Sequence, residues 1–120
     1  EKEIHSRTHN LNTLQQQPVV KRMIEMGKAR KEYPTYNDWH TLYPLVEEFY
    51  PEMAKIRTET SETEYQICVL TKLDCDLSDI AYLMSVSKAY MSTTRKRLSE
   101  RLFHVHEGGA KLFDQCIKEL

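Results

Sequence analysis

The chain of 120 residues is predicted to be all-α: a helical bundle with a C-terminal four-helix helix-turn-helix domain preceded by a helical extension. It contains only three Gly and four Pro, so few tight turns are available. Along most of its length, apolar residues recur at intervals of three and four, the period of a helix with one buried face. Two such stripes flank a short polar turn at residues 85–87, a spacing typical of a helix-turn-helix.

Length and composition indicate a single soluble domain, or a small domain with a helical extension. Hydrophobic residues make up 40% and charged residues 29%, which are ordinary values for a globular fold. No apolar run approaches the ~20 residues needed to span a bilayer, and no secretory signal pattern is recognisable. Three cysteines without CxxC spacing suit a reducing compartment, so we expect a cytoplasmic location. The sequence leaves open whether the chain is a piece of a longer protein.

We assign residues 1–59 to a helical extension or linker and residues 60–120 to the helix-turn-helix domain. The domain begins at a capping box, in which the Ser61 hydroxyl and the Glu64 carboxylate accept each other's backbone amides. Residues 1–17 are polar and predict a frayed or linker segment, with the tail of a coiled coil as the alternative.

Two helical patterns follow within the extension. Pro18 is well placed as the first residue of the first one. After a break at residues 32–37, Asn37 is expected to cap the second pattern, and Pro44 should kink or split it. Helical spacing makes core packing a better account than a ligand site for the aromatic residues of this second pattern, which are Trp39, Tyr43, Phe49 and Tyr50.

The helix after the turn is predicted at about residues 88–103, and a last helix at residues 110–120. With Met91 taken as facing inward, a step of about 100° per residue places Leu98 and Leu102 beside it. The opposite side then carries Ser92, Thr93 and Lys96, while Thr94 and Arg95 lie at the edges of the buried stripe.

Charge is concentrated on this helix. From Lys88 to Arg101 there are five basic residues and one acidic residue, a balance of +4 in a chain whose net charge is −1. Such asymmetry indicates a focused anion-binding face, and helices in this position insert their N-terminal half into the major groove of double-stranded DNA. Ser92, Thr93 and Lys96 are therefore the candidates for base contacts. The candidates for phosphate contacts are Lys88, Tyr90, Arg95, Arg97 and Arg101.

Residues 61–103 resemble the DNA-binding domain of LuxR/GerE-type transcriptional regulators, without gaps from the capping box through Ile80-Ala81 and Val86-Ser87 to Arg101-Leu102. The resemblance implies a four-helix fold whose last helix is commonly the dimer contact, and groove-facing positions at Ser92, Thr93 and Lys96. A DNA-binding domain of this kind is expected to act as a homodimer. Upstream, Trp39-x-x-Leu42 and Tyr50-Pro51 resemble, more loosely, the segment that precedes this domain in large sensor-type regulators, which often carry sensory repeats and sometimes a membrane anchor. That resemblance implies that the chain is the cytoplasmic output end of such a regulator.

Two positions depart from the family pattern. Ser85 stands where the family usually has glycine at the turn, which is compatible if that backbone stays out of the left-handed region. Ser92 and Thr93 stand where members usually have Lys or Asn, so weaker base-specific affinity is expected.

The alternative from another class is a protein-interaction or dimerisation module that keeps the helix-turn-helix shape without binding DNA. It expects acidic residues crowding the surface around Lys96. We expect no enzymatic activity, no cofactor, no small-molecule substrate and no membrane contact in this region, because His40 and Cys68 have no sequence-defined catalytic partner and no phosphate-cradling glycine loop exists. His104 and His106 hint at a metal, yet alternate helical residues point apart, so we expect solvent-exposed side chains rather than ligands.

Overall fold

The computed structural model describes the backbone of residues 2–120 and the side chains of residues 9–120. Within these limits the protein is all-α, as predicted, with eight helices and no strand. In chain order they are α1 (Lys2–Gln15), α2 (Pro18–Ala29), α3 (Tyr36–Phe49), α4 (Glu52–Glu59), α5 (Glu62–Lys72), α6 (Leu77–Met84), α7 (Lys88–Phe103) and α8 (Gly109–Lys118).

The buried apolar side chains of the extension and of the C-terminal domain form one cluster. It runs from Leu14 in α1 through Tyr43 in α3 and Leu70 in α5 to Ile117 in α8. Because the two predicted segments share a core, the position of α6 and α7 depends on packing against helices that precede residue 60.

Contacts between α2 and α6 join the two segments most directly. Gly27 lies so close to α6 that a Cβ placed on it would meet Asp79 Cβ at 3.1 Å. Asp79 is buried and accepts from Lys28 at 2.6 Å and from Arg30 at 3.1 Å. The Tyr82 hydroxyl, also on α6, donates to the Glu32 carbonyl at 2.9 Å. Helix α6 is therefore held from the side by α2 and by the segment that follows α2.

Three expectations for the extension need correction. Residues 2–15 form a helix rather than a frayed segment, because Leu14 is fully buried and the Gln15 amide donates to the Leu73 carbonyl at 3.1 Å. The cap of α3 is Thr35 rather than Asn37, with Asp38 completing a capping box. Finally, α3 continues through Pro44 without a break, since residues on both sides of it are buried in the same core.

The aromatic residues of α3 are core residues, as predicted: Trp39, Tyr43 and the following Tyr50 are buried and Phe49 packs against them. The cysteines are unpaired thiols, and burial raises the pKa of Cys68 to about 12. Among the residues that the structure describes, no helix is both long enough and apolar enough to cross a bilayer.

Candidate nucleic-acid interface

The turn between α6 and α7 is three residues long and is closed by backbone hydrogen bonds. Val86 N–H donates to the Ala81 carbonyl at 3.0 Å, and Ser85 N–H donates to the Tyr82 carbonyl at 3.0 Å. This pattern closes a helix when one residue adopts the left-handed conformation. Ser85 is that residue, with φ 55° and ψ 44°. The condition under which serine would suit this position, a backbone outside the left-handed region, is therefore not met, since the tight reversal requires that conformation.

A helix cap and two apolar contacts fix the start of α7. The Ser87 hydroxyl accepts from the backbone N–H of Tyr90 at 3.0 Å and caps the helix. Val86 packs against the core from within the turn, and Met91 is buried one turn into the helix. Together these contacts set the rotation of α7 about its own axis.

The inward side of α7 agrees with the helical-wheel prediction. Met91 and Leu98 are buried, and Leu102 is half-buried against the same core. Thr94 and Arg95, predicted at the edges of the stripe, are buried as well. With this side turned to the core, the opposite side of the helix faces solvent.

The outer side of α7 carries a cationic and hydroxyl-bearing surface. Ser92, Thr93 and Lys96 are exposed, as are the flanking Lys88 and Arg97. Among the side chains of residues 9–120, no carboxylate forms an ion pair with Lys88, Lys96 or Arg97. We call the exposed residues of this side the α7 outer face; they are Lys88, Ala89, Tyr90, Ser92, Thr93, Lys96, Arg97 and Arg101. Tyr90, at 42% exposure, stands at its N-terminal end.

Arg101 belongs to this face but already has an anionic partner. Its guanidinium donates to Glu64 Oε1 at 2.6 Å, which connects α7 to the capping box at the start of α5. Partial burial opposes the ionisation of Glu64, yet the hydrogen bonds from Arg101 and from the Ser61 backbone lower its pKa below the ordinary value. Glu64 is thus ionised near neutral pH and competes with any phosphate for Arg101.

Arg95, expected to contact phosphate, lies on the other side of α7. It is only 5% exposed, and its guanidinium donates to both carboxylate oxygens of Asp114 and to the Ala110 carbonyl on α8. These bonds occupy the Nε and Nη2 donors of the guanidinium inside the protein, so Arg95 is not available on the α7 outer face. The wheel had already placed it at the edge of the buried stripe, but no local pattern identifies its partner nineteen residues later.

Two further residues of this region have no signal in the sequence. Lys72 on α5 is 4% exposed and donates to the carbonyls of Ile117 and Lys118 at the end of α8. Asp114 holds Arg95. Both depend on which helices meet, which a single sequence does not state.

The acidic side chains around Lys96 distinguish DNA binding from a protein-interaction role, because only the second function expects acidic residues to crowd that surface. Glu100, one turn along, is half-buried, and Glu64 faces Arg101 rather than Lys96.

Within the part of the chain whose side chains are described, no group of three or more His, Cys, Asp or Glu residues is arranged to hold a metal. Comparisons of the chain with models of protein families, with curated proteins and with solved structures found no match.

Proposed function

We propose that the protein binds double-stranded DNA through the α7 outer face, as the output domain of a bacterial transcriptional regulator of the LuxR type. One observation carries this proposal: Lys88, Lys96 and Arg97 are exposed together on α7, without an ion-pair partner among the described side chains. Unpaired cations at a helix surface provide the electrostatic attraction on which phosphate binding depends.

The dimensions of α7 suit the major groove. Its 16 residues make a rod about 24 Å long, and a helix with side chains is about 10–12 Å wide, close to the groove width of about 12 Å. The three-residue turn from α6 keeps the N-terminal half of α7 at the molecular surface. That half carries the candidate base contacts Ser92 and Thr93, and Lys96 follows directly after it.

Each exposed side chain suits a particular part of the duplex. Lys96 donates to guanine O6 or N7, and the Thr93 methyl packs against a thymine methyl. The Ser92 hydroxyl donates or accepts with any base, which contributes little discrimination. Lys88, Tyr90 and Arg97 contact phosphates and set the register of the protein on the DNA without reading sequence. We further propose that two copies bind two half-sites one helical turn apart, in a cytoplasmic setting.

A paired comparison of charge-removal variants tests the proposal. Lys96→Ala combined with Arg97→Ala should abolish binding to a pool of random duplexes measured by fluorescence anisotropy. The matched control, Lys21→Ala combined with Lys55→Ala, removes the same charge from exposed positions on α2 and α4 and should bind like the wild type. Helical circular dichroism should be the same for all three proteins.

The outcomes separate the two functions. If both double variants bind duplex DNA equally well, the α7 outer face is not the binding surface and the proposal is wrong. If the wild type binds no duplex even at low salt, the protein-interaction module becomes the better account. Selection of bound fragments from the random pool should report a sequence preference if the protein reads base edges, and none if it is a protein-interaction module.

A further inference from the structure

This inference rests on the proposed function and concerns the residues that aim α7. We propose that Arg95 and Asp114 form a positioning pair that fixes the direction in which α7 presents its outer face to the duplex. Neither residue touches DNA in this account. Their effect on binding passes through the orientation of α7.

The pair is built for directional restraint. Arg95 Nε donates to Asp114 Oδ1 at 3.0 Å and Nη2 donates to Oδ2, a two-pronged contact with fixed planar geometry. Nη2 also donates to the Ala110 carbonyl at 3.1 Å, one turn earlier on α8. Three bonds from one guanidinium to two turns of α8 prevent α7 from rotating or sliding relative to that helix.

The second helix of the pair is itself fixed to the core. The Lys72 ammonium group on α5 donates to the carbonyls of Ile117, Lys118 and Leu120 at 3.2, 3.1 and 3.4 Å. It also lies 4.1 Å from the centre of the Tyr50 ring. A cation at the carbonyl end of a helix is favourably placed for the helix dipole. Thus α8 is held near its start through Arg95 and at its end through Lys72.

Apart from the Arg95–Asp114 pair, the other contacts of α7 restrain its direction less tightly. Helix α7 packs far more extensively on α8 than on α6, to which it is tethered by the turn at residues 85–87. That turn fixes where α7 begins, and the exposed Arg101–Glu64 ion pair joins its C-terminal part to α5, whereas Arg95 restrains the middle of the helix against α8. Phe113 and Ile117 supply apolar contact on α8, but apolar packing tolerates small rotations that a bidentate ion pair does not.

The buried positive charge of Arg95 also supports its role as a positioning residue for α7. Its guanidinium is buried, and a buried cation without a partner is strongly unfavourable. Replacing Asp114 with a neutral side chain of the same shape therefore drives the guanidinium toward solvent. Movement of the guanidinium toward solvent breaks the bonds that join α7 to Asp114 and Ala110 and so removes this restraint on the direction of α7.

The experiment uses the full chain with Asp114→Asn. Residual dipolar couplings of the backbone amides report the orientation of α7 relative to α5 and α6 without any DNA. In the wild type, one alignment tensor should fit the couplings of α5, α6 and α7. In the variant, the couplings of α7 should require a separate alignment tensor. Duplex affinity at a temperature where circular dichroism shows both proteins folded should fall about tenfold or more, as when a bidentate contact is misplaced. The control is Glu48→Gln, which removes an exposed carboxylate on α3 that forms no ion pair among the described side chains and should leave both readouts unchanged.

A purely structural role would lower the melting temperature without moving either readout. The inference is overturned if α7 keeps its orientation and the folded Asp114→Asn variant binds like the wild type. If the variant does not fold, the reversed pair, Arg95→Asp with Asp114→Arg, carries the test. Recovery of the wild-type alignment supports the inference, and a folded reversed pair with a reoriented α7 contradicts it. If α7 reorients but the wild type binds no duplex, the positioning pair stands and the proposed function fails.

Discussion

Glu64→Gln should strengthen duplex binding, although Glu64 is not part of the α7 outer face. In the structure its carboxylate accepts from Arg101 at 2.6 Å and so occupies a cation that would otherwise contact phosphate. The amide of glutamine keeps the shape and can still accept from the Ser61 backbone, so the capping box survives. The substitution therefore removes the negative charge that holds Arg101, so that a phosphate can compete for its guanidinium, while leaving the start of α5 intact.

The size of the effect follows from counting phosphate contacts. One additional contact should steepen the slope of log K against log salt concentration by about 0.9. Between about 50 and 200 mM salt, the variant should consequently lose roughly 3.5-fold more affinity than the wild type. The loss of a partly solvated ion pair should change the free energy of unfolding by less than about 1 kcal/mol.

The assay is fluorescence anisotropy on one duplex at four or five salt concentrations. Glu48→Gln is the matched control because it removes one negative charge from an exposed position on α3, away from α7. It should reproduce the wild-type slope. A Glu64→Gln slope equal to that of the control would show that Arg101 does not reach the phosphates, and it would refute this reasoning.

Three predictions concern stability. Leu98→Ala empties a fully buried site and should lower the free energy of unfolding in urea by about 2–5 kcal/mol, whereas exposed Lys96→Ala should change it by less than about 0.5 kcal/mol. Burial of Asp79 opposes its ionisation, yet hydrogen bonds from Lys28 and Arg30 hold its pKa below the ordinary value. Its carboxylate thus stabilises the fold above the unfolded pKa of about 3.9 and stops doing so as the pH falls through the folded pKa. Asp79→Asn should lower the melting temperature by about 4 °C at pH 7, and a difference that persists at about pH 2 would contradict this. Ser85→Gly should raise the free energy of unfolding by about 0.5–1 kcal/mol because glycine adopts the left-handed conformation without strain; an equal gain in Ser85→Ala would rule that explanation out.

Local signals predicted the helices and their inward faces well. The capping box at Ser61 and the buried Met91 and Leu98 follow from spacing alone, because helix period and capping chemistry act over a few residues. The same chemistry was missed at Thr35, where Asp38 takes the place of the more usual glutamate. Its capping box was readable in principle, but Asn37 offered a competing local cap.

Tertiary contacts explain the two backbone conformations that local sequence signals did not predict, at Pro44 and at Ser85. Pro44 should end a helix by its own geometry, yet buried residues on both sides keep α3 continuous. Ser85 is left-handed because the turn must bring α6 and α7 together within three residues. In both cases the surrounding packing determines a conformation that the residue alone does not favour.

The net charge of +4 on residues 88–101 overstates the attraction available to a duplex. Arg95 is committed to Asp114 and Arg101 to Glu64, carboxylates on α8 and α5 that the local count omits. Of the cations in residues 88–101, Lys88, Lys96 and Arg97 then remain without an ion pair among the described side chains and can neutralise phosphates. The wild-type salt slope should accordingly be near −2.7 for one bound chain, whereas five phosphate-contacting cations would give about −4.5. Measuring that slope distinguishes a count of charges along the sequence from a count of those that the fold leaves unpaired.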